Sequence, residues 1–434
     1  MIPYFYKPSD IQLDSLLTRV LSDDLDVEKS VKSIIEKVIN EGDQALYYYA
    51  KKFDKANLDS LFVSEREFEL CEAMVDDKLK KAIFRAKANI EKFHKAQKSR
   101  GEFVEVEKGI SLSRKIVAIN SVGLYIPGGT APLFSTVLML GIPAIVAGCK
   151  NIILATPPLK DGKVNPVVLY AAKIIGIKNI IKVGGASAIA ALSYGTQTIS
   201  KVDKIFGPGN RYVSYAKMLL SSRTAIDMLA GPSEVMVVAD KDTNASFAAS
   251  DFLSQAEHGY DSQSVLLILA NEKEALEFKN KFILQVEKQL QQLDRKEYLL
   301  SSIKNSRIIA TDNLDNCLEI IDKYAPEHLV LNLEKARGIC DRVNNAGSIF
   351  MGPYACESAG DYASGTNHTL PTSGWAKSVS GVSTDSFIKK ITIQEISYEG
   401  LQSLGETIIT MAEGENLSAH ANSVKIRLKG RDND

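Results

Sequence analysis

Five histidines stand among the 434 residues of this chain, and four of them sit in stretches rich in glycine or acidic residues. Gln255-Ala-Glu-His258 ends a helical stretch, and its i, i+3 spacing sets Gln255 and His258 on one helical face. Glutamine is a rare zinc ligand, so this pair alone is equally well explained by a histidine meeting the negative end of a helix. Ala325-Pro-Glu-His-Leu329 sets two ionisable side chains next to each other where Pro326 helps end a helix. Adjacent Glu327 and His328 suit two separate proton transfers, the histidine titrating nearest neutral pH. By itself, a Glu-His dipeptide is just as much at home in a surface loop. The stretch Gly360–Pro371 holds Asp361 and His368 in a loop too polar for a core. Completing a four-ligand nitrogen/oxygen metal site around Gln255 and His258 takes two more donors, and Asp361 and His420 are the candidates. His94, in a charge-rich helical region, reads as a surface residue.

Two turns are built to receive an anion, because backbone amides at a helix N-terminus attract negative charge. Tyr125-Ile-Pro-Gly-Gly129 follows a strand and precedes a helix, with Gly128 and Gly129 permitting close backbone approach. Gly207-Pro-Gly-Asn210 does the same before a helix that starts at Arg211, with Asn210 as its N-cap. Either turn alone could equally be a tight turn without a ligand. No G-x-G-x-x-G fingerprint occurs, so the pattern does not establish a standard dinucleotide fold.

The elements that must position these residues alternate. Leu16–Gln97 is mostly helical, with charged and apolar residues at helical spacing and Gly42 interrupting. From Lys115 onward, short β-rich runs (116–119, 122–126, 152–155, 180–183, 204–206, 235–239) alternate with small-residue helices. A second alternating block runs to Met351. This is the signature of βαβ units and a parallel sheet. After Pro371 the text loosens into Gly/Ser-rich loop, then an amphipathic helix over about 398–413 and a polar tail. The length predicts more than one domain. A formal charge of −1 leaves no basic field for nucleic acid or an anionic membrane. No signal peptide and no run of 18 apolar residues occurs, and five widely spaced cysteines suggest reduced thiols. The class expected is a cytoplasmic soluble enzyme or binding protein.

The motifs together resemble the histidinol dehydrogenase family. They run in order as Gly123–Thr130, Phe206–Asn210, Asp227–Glu234, Leu253–Gly259, Ala325–Leu329, Gly360-Asp361, Asn367–Thr372 and Glu415–His420, spanning essentially Lys115 to Val424. The resemblance implies an α/β fold of two Rossmann-like parallel-sheet domains, a helical N-terminal segment and a C-terminal helical tail in a domain-swapped homodimer. The expected domains are 1–24, 25–118 with 232–380, 119–231, and 381–434. It implies four-electron oxidation of L-histidinol through L-histidinaldehyde to L-histidine with NAD, closing histidine biosynthesis.

Carried over residue by residue, the resemblance makes Gln255, His258, Asp361 and His420 ligands of one Zn2+ per subunit. Glu327 and His328 become the proton-transfer pair. Ser233, Gln255, His258, His328, Asp361, Glu415 and His420 contact histidinol, with Glu415 and His420 donated to the other subunit. Tyr125 and Asn210 contact NAD, and Ser187 stands where the family commonly has a glutamine, so that contact is shortened. The loop Thr372–Ser380 also departs from the commoner family text.

Other chemistries are weaker on the sequence. A cysteine-based aldehyde step would use Cys149 or Cys356, but a small buried thiol is usually inert. A zinc hydrolase would lack H-E-x-x-H, and a non-catalytic sensor would not need an acid beside a histidine.

Overall fold

The computed structural model describes residues 2–19, 25–128, 133–229 and 231–430, in two compact units. The first comprises residues 1–97 and 120–386, the second 98–119 and 387–434.

Two parallel sheets form the first unit. One has six strands in the order Tyr4–Tyr6, Arg307–Thr311, Gln263–Leu269, Glu234–Ala239, His328–Leu331 and Ser348–Met351. The other has five, in the order Ile180–Ile181, Asn151–Ala155, Ser121–Tyr125, Lys204–Phe206 and Ala225–Ile226. Every pairing in both is parallel. Parallel sheets must be covered on both faces, which explains why Glu234–Ala239 and most of Gln263–Leu269 are buried regardless of side-chain direction.

The helices Leu25–Glu41 and Asp43–Tyr49 pack on the five-stranded half. Val27, Val31, Ile34, Leu46 and Tyr49 share one core with Ile153, Ile181, Ala188 and Val213 of the five-stranded half. The apolar stripe of Leu25–Glu41 lies against the helices Gly185–Tyr194 and Arg211–Leu220. The first of these helices is rich in alanine, and its small side chains leave room for an outer helical layer. The segment 98–118 leaves this unit altogether.

The N-terminal segment differs from the purely helical expectation. Tyr4–Tyr6 pairs in register with Ile308–Ala310 as an edge strand. Leu13, Leu16 and Leu17 then bury against Met236, Leu267 and Tyr324. The part of the expected segment at residues 20–24 lies outside the described residues.

His94 is a second correction. It is completely buried near the end of Asp77–Ala96, where Nδ1 meets Gln97 Oε1 at 2.8 Å. Its carbonyl accepts from Thr384 Oγ1 at 2.8 Å, and burial lowers its pKa. The surrounding charges occupy the other faces of that helix.

The second unit is antiparallel. Ile110–Ala118 lies between Phe103–Glu107 and Ile388–Ile396, followed by the helices Tyr398–Gly414 and Ser418–Lys429. The last of these makes helical the stretch after residue 413 that reads as polar in the sequence. No helix among the described residues is long and apolar enough to cross a membrane.

Within the six-stranded half, Phe252 and Phe282 meet edge to face, 5.3 Å between ring centroids, and both are fully buried. Replacing Phe282 with alanine should cost about 3–5 kcal/mol, read as a lowered urea midpoint.

Candidate active site between two parallel sheets

The two sheets offer opposite ends. In the five-stranded sheet the loops at the carboxyl ends of the strands line a cavity of about 1060 Å³ that includes Tyr125, Pro157, Gly184, Ser187 and Asn210. Helix N-termini face it, a favourable setting for a pyrophosphate. Asn210 caps its helix, accepting from Tyr212 N at 3.1 Å and Val213 N at 3.2 Å. Tyr125 Oη accepts from the Gly185 N–H at 3.0 Å, and burial pushes the phenol up to about 12. Ser187 borders the cavity, but its hydroxyl donates to the Gly184 carbonyl at 2.8 Å, within its own helix terminus. Gly128 lies so close to Pro157 that an added Cβ would fall 2.2 Å from the ring, and Gly129 lies outside the described residues.

The turn Gly207–Asn210 connects this cavity to a second, smaller one of about 90 Å³. Gly207, Pro208 and Gly209 line it together with Ser233, Glu327 and His368. Gly207 has φ +125°, and a Cβ there would sit 2.1 Å from the Tyr125 carbonyl oxygen, so the turn requires glycine. A buried ion pair grips the same residue from both sides. Lys217 Nζ donates to Gly207 O at 3.0 Å, and Asp227 Oδ2 accepts from Gly207 N at 2.7 Å. Lys217 and Asp227 are paired with each other and at most 2% exposed.

The six-stranded sheet presents its amino edge to the small cavity. Ser233 and Glu327 immediately precede strands, and His328 begins one. The helix Ala245–Ala256 ends here as well, so its negative end meets the site beside Gln255 and His258.

His328 is buried and stacked on Phe350, 5.9 Å between centroids. Its Nδ1 lies 3.2 Å from the Glu234 carbonyl and 3.6 Å from Glu327 Oε2, and its Nε2 lies 3.4 Å from Asp361 Oδ1. Nδ1–H donates to the carbonyl, and Nε2 is the nitrogen turned toward Asp361. Neither His328 Nε2 nor Asp361 Oδ1 has a hydrogen-bond partner among the described residues, although both are buried. Desolvation opposes a proton on His328, yet Glu327, Glu357 and Asp361 outweigh it and hold the imidazole well above its usual value. Burial pushes the Glu327 carboxyl up, and its Oε2 accepts from the Glu234 N–H at 2.9 Å.

His258 and Asp361 come together, and with them Glu357, a residue the sequence reading passed over. One ligand atom from each lies within 4.8 Å of the others. One imidazole and two carboxylates form a nitrogen/oxygen donor set suited to a divalent cation. Gln255 is fully buried beside them. In the orientation that satisfies both ends of its amide, the nitrogen donates to Glu357 Oε1 and the oxygen accepts from Glu234 N at 2.8 Å. Burial drives Glu357 well above the usual carboxylate value. His258 is exposed by surface area, but desolvation by the protein around it still lowers its pKa. His368 packs alongside, its Nδ1 3.1 Å from the Asp361 carbonyl and its Nε2 3.2 Å from Thr136 Oγ1.

Glu357 carried no signal in the sequence beyond opening a short helix four residues before Asp361, which sets the two carboxylates one turn apart. Glu415 and His420 lie in the second unit, exposed around the junction of its two helices. Of the thiols, burial pushes Cys149 up to about 11, which keeps it protonated, and Cys356 is exposed.

Replacing Lys217 with methionine leaves Asp227 buried without its cation. A loss of about 3–5 kcal/mol is expected, read as a lowered thermal midpoint.

The family model for histidinol dehydrogenase matches residues 17–428. The histidinol dehydrogenase of Bacteroides thetaiotaomicron is 50% identical over 422 residues, covering 97% of this chain and 97% of its own. That of Mannheimia succiniciproducens is 48% identical over 405 residues, covering 93% and 92%. The crystal structure of histidinol dehydrogenase from Elizabethkingia anophelis superposes with a TM-score of 0.95 at 49% identity, over 99% of each chain. Sequence matches over nearly the whole length and a superposition of that quality place this chain in the histidinol dehydrogenase family.

Proposed function

We propose that the protein oxidises L-histidinol through L-histidinaldehyde to L-histidine, with two NAD molecules reduced and one zinc ion per subunit. The observation that carries this reading is His328, whose Nδ1 is tied to a backbone carbonyl while Nε2 is buried without a partner among the described residues. Such a nitrogen, its proton affinity raised by the carboxylates around it, is placed to take and hold a proton.

The large cavity, with its helix N-termini, suits a dinucleotide. Tyr125 and Asn210 are its proposed contacts, with Ser187 contributing less because its hydroxyl turns to Gly184. Gln255, His258, Asp361 and His420 are the proposed zinc ligands, with Glu357 holding the Gln255 amide. His420 and Glu415 would be donated to the partner subunit, and their exposure is what such a donation requires. Ser233, His328 and Asp361 would contact histidinol. Bound zinc supplies a Lewis acid for the substrate's nitrogens, and bound NAD supplies the hydride acceptor.

Within this reading the chain moves protons. In the alcohol oxidation, His328 Nε2 accepts the substrate's hydroxyl proton. The aldehyde must then add water before a second hydride can leave. Glu327, with its carboxyl raised by burial, takes a proton from that water, and His328 assists. The buried, carboxylate-rich surroundings keep bulk water from competing.

Two measurements test the reading. NADH formed from histidinol as sole substrate should reach two per histidinol, vanish on chelation and return with added zinc. A yield of one would confine the enzyme to the alcohol step. Glu327→Gln should slow aldehyde oxidation by roughly 10²–10⁴-fold and alcohol oxidation less. Equal slowing of both steps would exclude the division of labour between Glu327 and His328.

A further inference from the structure

We infer that Arg19 is a positioning residue for the Glu327–His328 pair, acting through Glu234 from the far end of the chain. The inference rests on the reading of Glu327 and His328 as the proton-transfer pair.

Glu234 holds both members of that pair with its main chain. Its N–H donates to Glu327 Oε2 at 2.9 Å, and its carbonyl lies 3.2 Å from His328 Nδ1. The first contact fixes where the carboxylate sits. The second orients the imidazole ring, so that Nε2 faces Asp361. The same N–H also meets the Gln255 amide oxygen.

Glu234 is nevertheless the first residue of its strand. It is paired to Gln263 on one side, but the ladder on the other side begins only at Val235, opposite His328. A main chain at the start of a strand, laddered on one side only, gains a further anchor from its own side chain.

That side chain is 1% exposed. Oε1 accepts from Arg19 Nε at 2.7 Å and from the Ser373 N–H at 2.7 Å, and Oε2 accepts from Arg19 Nη2 at 2.9 Å. The fork-to-fork geometry fixes direction as well as distance, which a lysine could not do. Arg19 is itself immobilised. Its Nη2 donates to the Tyr324 carbonyl at 2.6 Å, and its guanidinium lies 4.1 Å over the Tyr324 ring. The Tyr324 hydroxyl donates to Gln263 Oε1 at 2.7 Å, so the clamp closes back on the strand beside Glu234. Arg19 is brought to this point by buried Leu13, Leu16 and Leu17. The hydrogen bonds and ring contact of Arg19 go to Glu234 and Tyr324, outside the His258, Glu357 and Asp361 cluster.

A merely structural ion pair would affect stability alone. A positioning pair should affect turnover while leaving substrate and cofactor affinity in place. The test compares Arg19→Met, Arg19→Lys and the double variant Arg19→Met/Glu234→Met in the zinc-loaded enzyme, with kcat and both KM values measured. Arg19→Met should lower kcat by about 10²-fold, the scale of a misplacement near 1 Å, with both KM values little changed. Arg19→Lys, keeping charge but losing the fork, should recover only part of it. The double variant removes the unpaired buried carboxylate, so it keeps the experiment readable if Arg19→Met fails to fold. It should melt close to wild type and still turn over slowly. Wild-type kcat in a folded Arg19→Met or in the double variant overturns the inference, as does a loss confined to KM. The wild-type NADH yield from histidinol and the slowed aldehyde step in Glu327→Gln report separately on the underlying reading, so the two can fail independently.

Discussion

Four carboxylates, those of Glu234, Glu327, Glu357 and Asp361, are all at least nine-tenths buried around the amino edge of one parallel sheet. Charge buried in this density must be paired or neutralised, and the surroundings follow from how each is answered. Arg19 answers Glu234 with a bidentate pair. His328 stands between Glu327 and Asp361 and is pulled toward its charged form by both. Among the described residues Glu357 meets neutral Gln255 and Ser254, and burial drives its carboxyl up. The negative end of the helix Ala245–Ala256 adds to the same field. The site therefore carries an excess of electron pairs, which is the physical demand a divalent cation meets.

The two halves of the first unit divide the labour by polarity. Strand carboxyl ends and helix N-termini surround the large cavity, whereas strand amino ends and a helix C-terminus surround the carboxylate cluster. One environment favours an anion and the other a cation. The Gly207–Asn210 turn lines both cavities, and the Lys217–Asp227 pair fixes it. A desolvated ion pair is a costly way to hold one glycine, but it leaves little freedom in the separation of the two cavities.

Much of this was legible in the sequence. Alternating β-rich runs and small-residue helices gave away the parallel sheets, and Asn210 was readable as a cap from its position before Arg211. His258, His328 and Asp361 stood out because ionisable side chains are rare in otherwise apolar or glycine-rich text. What was hidden depended on tertiary burial. His94 sits among lysines on a helix whose charged faces say nothing of the loops at 367 and 384 that cover it. Glu357 looks like an ordinary acid at the start of a helix until the fold buries it. Phe103–Glu107 and Ile388–Ile396 escaped notice because a solvated antiparallel strand mixes charged and apolar residues much as a loop does. The helices of residues 25–97 show an apolar stripe but not which sheet it meets.

The order in which the halves can be completed during synthesis follows from the connectivity of the six-stranded sheet. The five-stranded sheet uses a continuous run from Ser121 to Ile226, so all its strands leave the ribosome together. The other sheet pairs Tyr4–Tyr6 with Arg307–Thr311 and closes at Ser348–Met351. Its first strand must wait through some three hundred residues of translation for its neighbour, and such distant pairing is slow. The five-stranded half can thus mature on a nascent chain while the acidic residues remain hydrated. Their desolvation is deferred until the last strands arrive, when His328 is already made and available to share the charge.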